Sequence, residues 1–312
     1  MSLIGALKGK GPNGFGYAST AEEVTAGIDL TGQTILVTGC NSGLGLETVR
    51  ALGQRGARVL ATARTIDKAQ QAVAGLPGTF VPLACELSEP ASVRACVESA
   101  KRLAGSLDVI LCNAGVMAIP TLQQAYGCEL HFFTNHIGHF ILVNGLLERL
   151  APAGRVVVVA SNAHRRAPAN GLDLDDLSGQ RGSYQPMRAY GQSKLANILF
   201  TRELARRLGT PDPTAPRRQT ANTLHPGVIA TNITRTIPSV AQLAMRVLAP
   251  LALKTAAQGA ATQSYLATNP AVANVTGAYY ADCNPAETTP IARDMGLAAR
   301  LWEVSEQIAA RV

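Results

Sequence analysis

The sequence predicts an α/β fold in which helices cover both faces of a doubly wound parallel sheet. Short runs rich in valine, isoleucine and leucine recur along the chain, and segments with helical periodicity separate them. Strands that are buried on both faces have continuous aliphatic runs of this kind. The composition agrees, because 47% of the 312 residues are hydrophobic and only 4% are aromatic, which suits one large aliphatic core.

The order of the elements supports this fold class. The predicted strands are Thr34–Thr38, Arg58–Ala63, Phe80–Ala84, Val109–Cys112, Arg155–Ala160, Thr220–Leu224 and Gly277–Tyr280. The predicted helices that separate them are Leu46–Leu52, Glu89–Leu103, Tyr126–Leu150 and Ala189–Leu208. No repeat or linker divides the chain, so we expect residues 30–312 to form one domain.

Residues 1–29 are expected to form an arm and a short helix ahead of this domain. Residues 9–16 are rich in glycine, and residues 19–23 have the capping-box pattern that opens a helix. The N-terminus has no apolar core suited to a signal peptide. The most apolar late stretch, residues 237–253, is interrupted by an arginine and a proline, so we expect no membrane span, which needs ~18 apolar residues.

The charge and the cysteines argue against several partners. The net charge of +7 is scattered and is not interleaved with aromatic residues, so a nucleic-acid surface is not expected. The cysteines form no Cys-x-x-Cys motif, which is typical of reduced thiols in a cytoplasmic protein. His136 and His139 lack an acidic or cysteine ligand at matching spacing, so we interpret them as packed helix histidines and expect no metal. The cysteines are Cys40, Cys85, Cys96, Cys112, Cys128 and Cys283.

A glycine-rich turn follows the first predicted strand. Its spacing is Gly39-x-x-x-Gly43-x-Gly45, and a predicted helix follows it. A strand, a glycine turn and a helix N-terminus together favour anion binding, because bare backbone can approach a pyrophosphate and free N–H groups point at it. The spacing differs from the common Gly-x-Gly-x-x-Gly fingerprint, and tight packing alone is the alternative explanation. We interpret the turn as a Rossmann-type nucleotide site.

The end of the second predicted strand bears on the choice of nucleotide. An NAD-preferring site carries an acid there for the ribose 2′-hydroxyl, whereas this chain has Ala63 and Arg64. A guanidinium can hold a 2′-phosphate with two hydrogen bonds. Asp67, the nearest carboxylate, suits the first turn of the following helix. The sequence therefore favours NADP(H) over NAD(H).

Tyr190 and Lys194 are four residues apart and share one face of a predicted helix. A phenol titrates near ~10 and is a poor base at neutral pH. A cation about 4 Å away is worth roughly 4 kcal/mol at an effective dielectric of ~20, enough to lower the pKa of Tyr190 by roughly three units. Because this pattern often marks only an exposed helix face, its meaning depends on the nucleotide site.

These features occur together in one known family. From about Leu30 to Tyr280 the chain resembles the short-chain dehydrogenase/reductases, and it is most similar to the retinol-dehydrogenase-like branch, which includes the oxidoreductase domain of the WW-domain oxidoreductase. The motifs that carry the resemblance are Thr38-Gly39-x-x-x-Gly43-x-Gly45, Asn113-Ala114-Gly115, Asn135-His136-Ile137-Gly138-His139-Phe140, Ser161, Tyr190-x-x-x-Lys194 and Pro226-Gly227.

The resemblance implies a role for each matching residue. It implies that Tyr190 exchanges the proton, that Ser161 orients the substrate oxygen, and that Lys194 binds ribose hydroxyls. Asn135 would bend its helix and hold a water that links Lys194 to solvent. The implied cofactor-binding residues are Gly39, Asn41, Ser42, Gly43, Leu44, Gly45, Arg64, Glu86, Leu87, Asn113, Ala114, Gly115, Tyr190, Lys194, Pro226, Gly227, Val228 and Thr231.

Two segments are expected to form the substrate pocket, residues 162–188 and residues 231–256. The first is a long insert between Ser161 and Tyr190 that could shape the pocket mouth or form an exposed loop. Within the second, we expect an apolar lid, with an ordinary buried helix as the alternative. The residues of this predicted lid are Leu243, Met245 and Val247.

The function predicted from the sequence is hydride transfer between NADP(H) and the carbonyl or alcohol carbon of a hydrophobic small molecule. The alternatives are a double-bond reductase or an epimerase on the same scaffold, and a non-catalytic nucleotide sensor. The intact Tyr190 and Lys194 argue against a sensor. A homo-oligomer is compatible with the sequence.

Overall fold

A central eight-stranded sheet organises the chain. The computed structural model describes residues 8–209, 218–229 and 253–312. The strands are β1 (Thr34–Val37), β2 (Arg58–Ala63), β3 (Thr79–Ala84), β4 (Leu107–Cys112), β5 (Gln124–Ala125), β6 (Cys128–Glu129), β7 (Leu150–Val159), β8 (Thr220–His225), β9 (Tyr279–Ala281) and β10 (Asn284–Pro285). The sheet order is β10-β9-β8-β7-β4-β1-β2-β3, while β5 and β6 form a separate hairpin.

The described helices alternate with these strands. They are α1 (Ala21–Val24), α2 (Gly43–Gln54), α3 (Ile66–Val73), α4 (Pro90–Leu103), α5 (Leu130–Phe132), α6 (Gly138–Leu146), α7 (Pro186–Arg207), α8 (Ala256–Gly259), α9 (Ala261–Thr268) and α10 (Met295–Arg311). A π-helical turn, Phe133–Ile137, joins α5 to α6. Shorter 3₁₀ turns are Leu147–Arg149, Asn162–Arg166, Pro270–Val272 and Pro290–Arg293.

The sheet topology confirms the predicted α/β fold. Neighbouring strands run parallel except for β9 and β10, which are antiparallel. The chain builds outward from β1 through β2 and β3, and in the other direction through β4, β7 and β8. The order therefore reverses between β1 and β4, and ligands of doubly wound folds bind outside the carboxyl ends of the strands at this reversal.

The predicted helix over residues 126–150 is wrong at both ends. Tyr126 and Gly127 have φ values of 50° and 78° and form the tight turn of the β5–β6 hairpin. The helical segment begins only after Glu129, whose side chain accepts the Phe132 N–H. At the other end, Leu150 opens β7 by pairing with β4, five residues before the predicted strand start.

The N-terminal arm packs against the edge of the sheet that β10 forms. Asn13 donates a hydrogen bond to the Cys283 carbonyl, and Asn284 donates to the Phe15 carbonyl. The predicted capping box is present, because Thr20 and Glu23 each bond to the other's backbone N–H.

Helix α10 covers the outer faces of α6 and α7. Trp302 packs edge-on against Phe140, with ring centroids 5.0 Å apart, and stacks on Phe200 at 5.7 Å. The sequence prediction missed this helix. Two other expectations, Thr231 as a nicotinamide ligand and the apolar lid, lie outside the described residues.

Candidate active site

The glycine turn joins β1 to α2 and leaves room for a ligand. Gly39 and Gly43 have φ values of 73° and 56°, in the left-handed region that favours glycine. A Cβ on Gly45 would collide with the Gly39 carbonyl oxygen, whereas one on Gly43 would meet nothing within 4 Å. Ser42, at the N-cap of α2, makes no side-chain cap, so the first-turn N–H groups have no internal acceptor from it. Residues 41–45 therefore form a backbone cradle suited to phosphate.

Asn113 stabilises this turn from within the protein. Its side-chain amide donates to the Thr38 carbonyl at 2.8 Å, and its Oδ1 accepts from Gln263 Nε2 at 3.1 Å. The expected contact of Asn113 with a cofactor stays a prediction. Ala114 and Gly115 come next, and Gly115 lies directly against Asn135 and Lys194.

His139 links the glycine turn to the segment that carries Asn135. The Thr38 hydroxyl accepts the N–H groups of Asn113 and Ala114, so its proton points to His139 Nε2, 2.9 Å away. His139 Nδ1 then donates to the Asn135 carbonyl at 3.0 Å. Burial lowers the pKa of His139 to about 4.

His136 occupies a similar buried position. Its Nε2 bonds to Ser305 Oγ at 2.8 Å, and burial lowers its pKa to about 3. These partners agree with the interpretation of both histidines as packed helix residues. In residues 8–209, 218–229 and 253–312, the structure shows no group of three or more histidine, cysteine or acidic side chains that could hold a metal.

Ser161 and Tyr190 meet at the carboxyl end of β7. Ser161 accepts the Ala163 N–H at 3.1 Å, so it also caps the 3₁₀ turn, and it bonds to the Tyr190 side chain. Burial raises the pKa of Tyr190 to about 12, although the Ser161 hydrogen bond lowers it. Burial is the largest influence on this pKa, and it acts against the lowering expected from Lys194.

Lys194 is itself buried against β7. Its Nζ donates to the Val159 carbonyl at 2.9 Å and lies 5.6 Å from the centre of the Tyr190 ring. Burial lowers the pKa of Lys194 to about 8. The ammonium thus shares one face of α7 with the phenol, as the four-residue spacing predicts.

Asn135 lies in the π-helical turn and is fully buried. Its Oδ1 accepts the Val116 N–H at 2.8 Å, and its Nδ2 donates to the Val116 carbonyl and to Ser193 Oγ, both at 3.0 Å. Ser193 in turn donates to the Tyr190 carbonyl. The helix is therefore irregular where the resemblance implies a bend, and Asn135 joins three segments of the site.

Arg64 and Glu86 lie side by side at the ends of β2 and β3. Arg64 is exposed, with its Nε 4.0 Å from Glu86 Oε2, while Glu86 Oε1 accepts from Ser88 Oγ at 3.0 Å. Asp67 occupies the first turn of α3, as expected. Leu87 packs its backbone against Gly138 and is buried, so its side chain serves packing.

The Pro226-Gly227 motif follows β8 and leads to Val228. Gly227 has a φ of 99°, and a Cβ there would lie 2.6 Å from Lys254 Cδ. Lys254 is fully buried, its Nζ is 2.7 Å from Asp282 Oδ1, and its N–H donates to the Val228 carbonyl. The sequence analysis missed Lys254, because only the fold brings it against this motif.

His164 was also missed, although it adjoins Ser161 in the fold. Its Nε2 accepts the Thr289 N–H at 3.3 Å, so its Nδ1 carries the proton and donates to the Ser161 carbonyl at 2.7 Å. Its ring packs edge-on against Tyr279, which donates to Asn162. These contacts hold the turn after Ser161 against the C-terminal part of the sheet.

The insert between Ser161 and Tyr190 borders a cavity of about 460 Å³. Arg188, Ala189 and Gln192 line it from α7, but Ser161 and Tyr190 do not. At 3.6 residues per turn, Arg188 and Gln192 lie about 160° around the helix from Tyr190, and Ala189 lies about 100° from it. The cavity therefore adjoins Ser161 and Tyr190 but lies on another side of the helix. Asp173 and Asp176, which belong to the insert, also line the cavity.

The fold and this group of side chains define a nucleotide-dependent oxidoreductase. Residues 33–172 match the short chain dehydrogenase family. The chain is 38% identical to the chloroplastic short-chain dehydrogenase TIC 32 A of Brassica napus, with 98% of each chain covered. It is 39% identical to mouse retinol dehydrogenase 14, over 88% of this chain and 85% of the relative. The protein belongs to the short-chain dehydrogenase/reductases, in the retinol-dehydrogenase-like branch.

Other comparisons agree with this assignment. The human WW domain-containing oxidoreductase is 36% identical, over 93% of this chain and 71% of its own length. A crystal structure of an uncharacterised protein from Mycobacterium paratuberculosis superposes with a TM-score of 0.73 and 32% identity, over 94% of this chain and 98% of that one. The angucycline C-6 ketoreductase LanV, solved with bound NADP, gives 0.61 and 26%, over 80% and 94%.

Among the described helices, none is both long and apolar enough to span a membrane.

Proposed function

We propose that the protein is an NADP(H)-dependent carbonyl reductase or alcohol dehydrogenase for hydrophobic substrates. The observation that carries the proposal is the half-buried Tyr190, hydrogen-bonded to Ser161 and beside Lys194, at the carboxyl edge of the sheet. That edge is also where the glycine turn leaves β1. A proton donor and a nucleotide cradle on the same edge suit hydride transfer to a carbonyl.

The residues fit a nicotinamide dinucleotide. The cradle at residues 41–45 has the open space above Gly43 and the backbone approach that a pyrophosphate needs. Bound there, the cofactor would supply or accept the hydride. Lys194 would bind the ribose hydroxyls, and Gly227 and Val228 would border the nicotinamide. We propose the same role for Thr231, which is not among the described residues.

The chain's own groups handle the proton. Because the pKa of Tyr190 is raised to about 12, the phenol is in its acid form at neutral pH and can donate to the oxygen of a carbonyl. Ser161 would hold that oxygen by a hydrogen bond. Asn135 fixes the segment after Gly115 beside Lys194, and the water relay implied by the family would start there.

The preference for NADP(H) rests on Arg64. Its exposed guanidinium at the end of β2 suits a 2′-phosphate, and LanV, a structural neighbour, was solved with NADP. Glu86 is near enough to attract Arg64, so it would have to share the guanidinium with the phosphate. The predicted contact between Glu86 and adenine remains a proposal.

Apolar side chains near the site favour a hydrophobic substrate. Met117 and Val228 are among the large hydrophobic residues that remain exposed, and each follows a motif of the site. Ligand sites of this kind have mostly apolar walls with few polar anchors. Three relatives are named retinol dehydrogenases, which agrees with a lipid, terpenoid, steroid or aromatic carbonyl.

We place the enzyme in the cytoplasm. All six cysteines are free thiols and buried, as expected in a reducing compartment. A homo-oligomer stays a prediction.

Steady-state turnover on a panel of ketones and aldehydes with NADPH tests the proposal. We expect oxidation of NADPH with formation of the matching alcohol, and best efficiency with bulky hydrophobic carbonyls. Reduction of a carbon–carbon double bond, inversion of a stereocentre without net redox change, or nucleotide binding without turnover of any substrate would each contradict it.

A further inference from the structure

The segment Val116–Ile119 is fixed beside the catalytic residues at its beginning. It follows Gly115, where a Cβ would lie 2.9 Å from Asn135 Oδ1 and 3.5 Å from Lys194 Nζ. Asn135 holds both the N–H and the carbonyl of Val116. The segment therefore starts against two residues of the proposed catalytic group.

A second pair of contacts fixes the other end of the segment. The Ile119 N–H donates to His131 Nε2 at 3.3 Å, and the Ile119 carbonyl accepts from the Tyr184 hydroxyl at 3.0 Å. Ala118, just before it, has a φ of 55°, which costs a non-glycine residue of order 1–3 kcal/mol. Such a conformation persists only where the surroundings hold it, and contacts on both sides of Ala118 do so.

His131 also touches the proposed proton donor. Because His131 Nε2 accepts a hydrogen bond, its Nδ1 carries the proton and donates to Glu129 Oε1 at 2.7 Å. The His131 ring packs edge-on against the Tyr190 ring, with centroids 6.0 Å apart. His131 is fully buried, so it is held by Glu129 on one side and by Tyr190 on another.

Tyr184 brings the insert into the same network. Its hydroxyl is 3.5 Å from Glu129 Oε1, and burial raises its pKa to about 12, which keeps it a donor. The Leu177 carbonyl accepts the Glu129 N–H at 2.7 Å, so a second part of the insert is bonded to the hairpin. The insert is thus fastened to the segment that runs past Tyr190.

We propose that Tyr184 and His131 are positioning residues that hold the Val116–Ile119 segment as a rigid wall of the substrate pocket. Met117, 41% exposed, lies in this segment and would present its side chain to the substrate. Fixing the wall favours bulky substrates, because a wall that is already ordered need not be ordered on binding. The proposal rests on the carbonyl reductase activity proposed above.

We call the two contacts from His131 and Tyr184 to Ile119 the clamp. Hydrogen exchange tests the clamp without requiring turnover. Tyr184→Phe removes the hydrogen bond to the Ile119 carbonyl, so the segment should open more readily. The Ile119 amide, although still bonded to His131, should then exchange about fivefold faster, the factor that corresponds to one hydrogen bond of about 1 kcal/mol. The Val116 amide, held by Asn135, should keep its protection and serves as an internal reference. Tyr126→Phe is the matched control, because it removes a phenol that bonds to Glu89 at 2.9 Å and leaves Ile119 untouched.

Kinetics test the consequence for the substrate. With NADPH, Tyr184→Phe should raise KM about fivefold for a fused-ring ketone, while kcat for a small cyclic ketone and KM for NADPH stay within twofold. His131→Gln can still place an oxygen near the Ile119 N–H, so it should retain more discrimination than His131→Asn, which is too short to reach it. Tyr126→Phe should match the wild-type enzyme.

The outcomes separate the two proposals. Unchanged exchange at Ile119 in Tyr184→Phe would overturn the clamp. Faster exchange with an unchanged preference for bulky over small ketones would overturn its role in specificity. If the wild-type enzyme reduced no ketone, the proposed function would fail, while faster exchange at Ile119 would still support the clamp.

Discussion

Burial of Lys194 leads to a prediction about stability. Burial lowers its pKa from 10.5 to about 8, and each unit corresponds to about 1.4 kcal/mol, so holding the charged form inside the fold costs about 3 kcal/mol. Lys194→Met removes this charge with a side chain of similar length. It also removes the bond to the Val159 carbonyl, worth about 1 kcal/mol, but Asn197 still donates to that carbonyl at 3.2 Å. We therefore expect the free energy of unfolding to rise by about 2 kcal/mol at pH 7.

The advantage of Lys194→Met should shrink as the pH rises. At pH 7 the wild-type lysine is charged in both the folded and the unfolded protein, so the cost of its burial is fully present. Above about pH 8 the folded protein releases the proton while the unfolded chain keeps it up to about 10.5, which stabilises the wild-type protein relative to the variant. The difference in unfolding free energy should fall by about 1 kcal/mol between pH 7 and pH 9.

Urea unfolding of the nucleotide-free protein at pH 7 and pH 9 measures both effects. Lys68→Met, at an exposed position in α3, is the control and should change stability little at either pH. The same Lys194→Met variant should lose turnover and bind NADPH more weakly, since the ribose contact is lost. A variant that is less stable than the wild-type protein at pH 7, or whose advantage does not depend on pH, would refute the cost assigned to the buried ammonium.

Three further predictions concern individual residues. Tyr190→Phe should lower kcat ~100-fold or more while NADPH binding stays within a few fold, and residual activity above about a tenth would remove Tyr190 as proton donor. Arg64→Gln should lower the ratio of kcat/KM for NADPH to that for NADH; equal efficiencies in the wild-type enzyme would contradict the role of Arg64. His164→Asn keeps a donor for the Ser161 carbonyl and should retain kcat, whereas His164→Gln should lose about fivefold, so equal losses would exclude positioning through that bond.

Substituting Arg64 alone is a cleaner test of nucleotide choice than also introducing an acid at the end of β2. An aspartate at the preceding Ala63 would place a carboxylate at the ribose in an NAD-type site. The structure shows Ala63 only 2% exposed, so a carboxylate there would be buried without a partner. Substituting Arg64 alone avoids this cost and leaves Glu86 in place.

The sheet was predictable because its central strands are rich in aliphatic residues. Val59, Ile110 and Val157 belong to such strands, and burial on both faces requires aliphatic residues at nearly every position. The glycine turn and the Tyr190–Lys194 spacing were predictable for a similar reason, since each is local in sequence.

The boundaries around residues 126–150 were not predictable from periodicity. The apolar pattern continues through Tyr126, but the positive φ of Tyr126 and Gly127 makes a hairpin turn instead. That turn is set by Glu129, whose backbone binds the insert and whose side chain binds His131. The contact between Glu129 and Leu177 joins residues far apart along the chain, so it leaves no local signal.

The pKa of Tyr190 likewise could not be predicted from the sequence. Its spacing from Lys194 correctly places the two groups on one face of α7, but the sign of the shift depends on how deeply the phenol is buried. Desolvation disfavours the charged form of each group, so it raises the pKa of the phenol and lowers that of the ammonium. The size of this desolvation effect depends on the fold around the two groups.

The histidines around the site leave the proton transfer to the phenol. His139 and His164 each accept one hydrogen bond and donate another, and burial lowers the pKa of both. A neutral ring with both nitrogens engaged neither takes up nor releases a proton near pH 7. Tyr190, hydrogen-bonded to Ser161 and in its acid form, is the group placed to donate one. Under the proposed function, these buried histidines therefore stabilise the site, and Tyr190 supplies the proton.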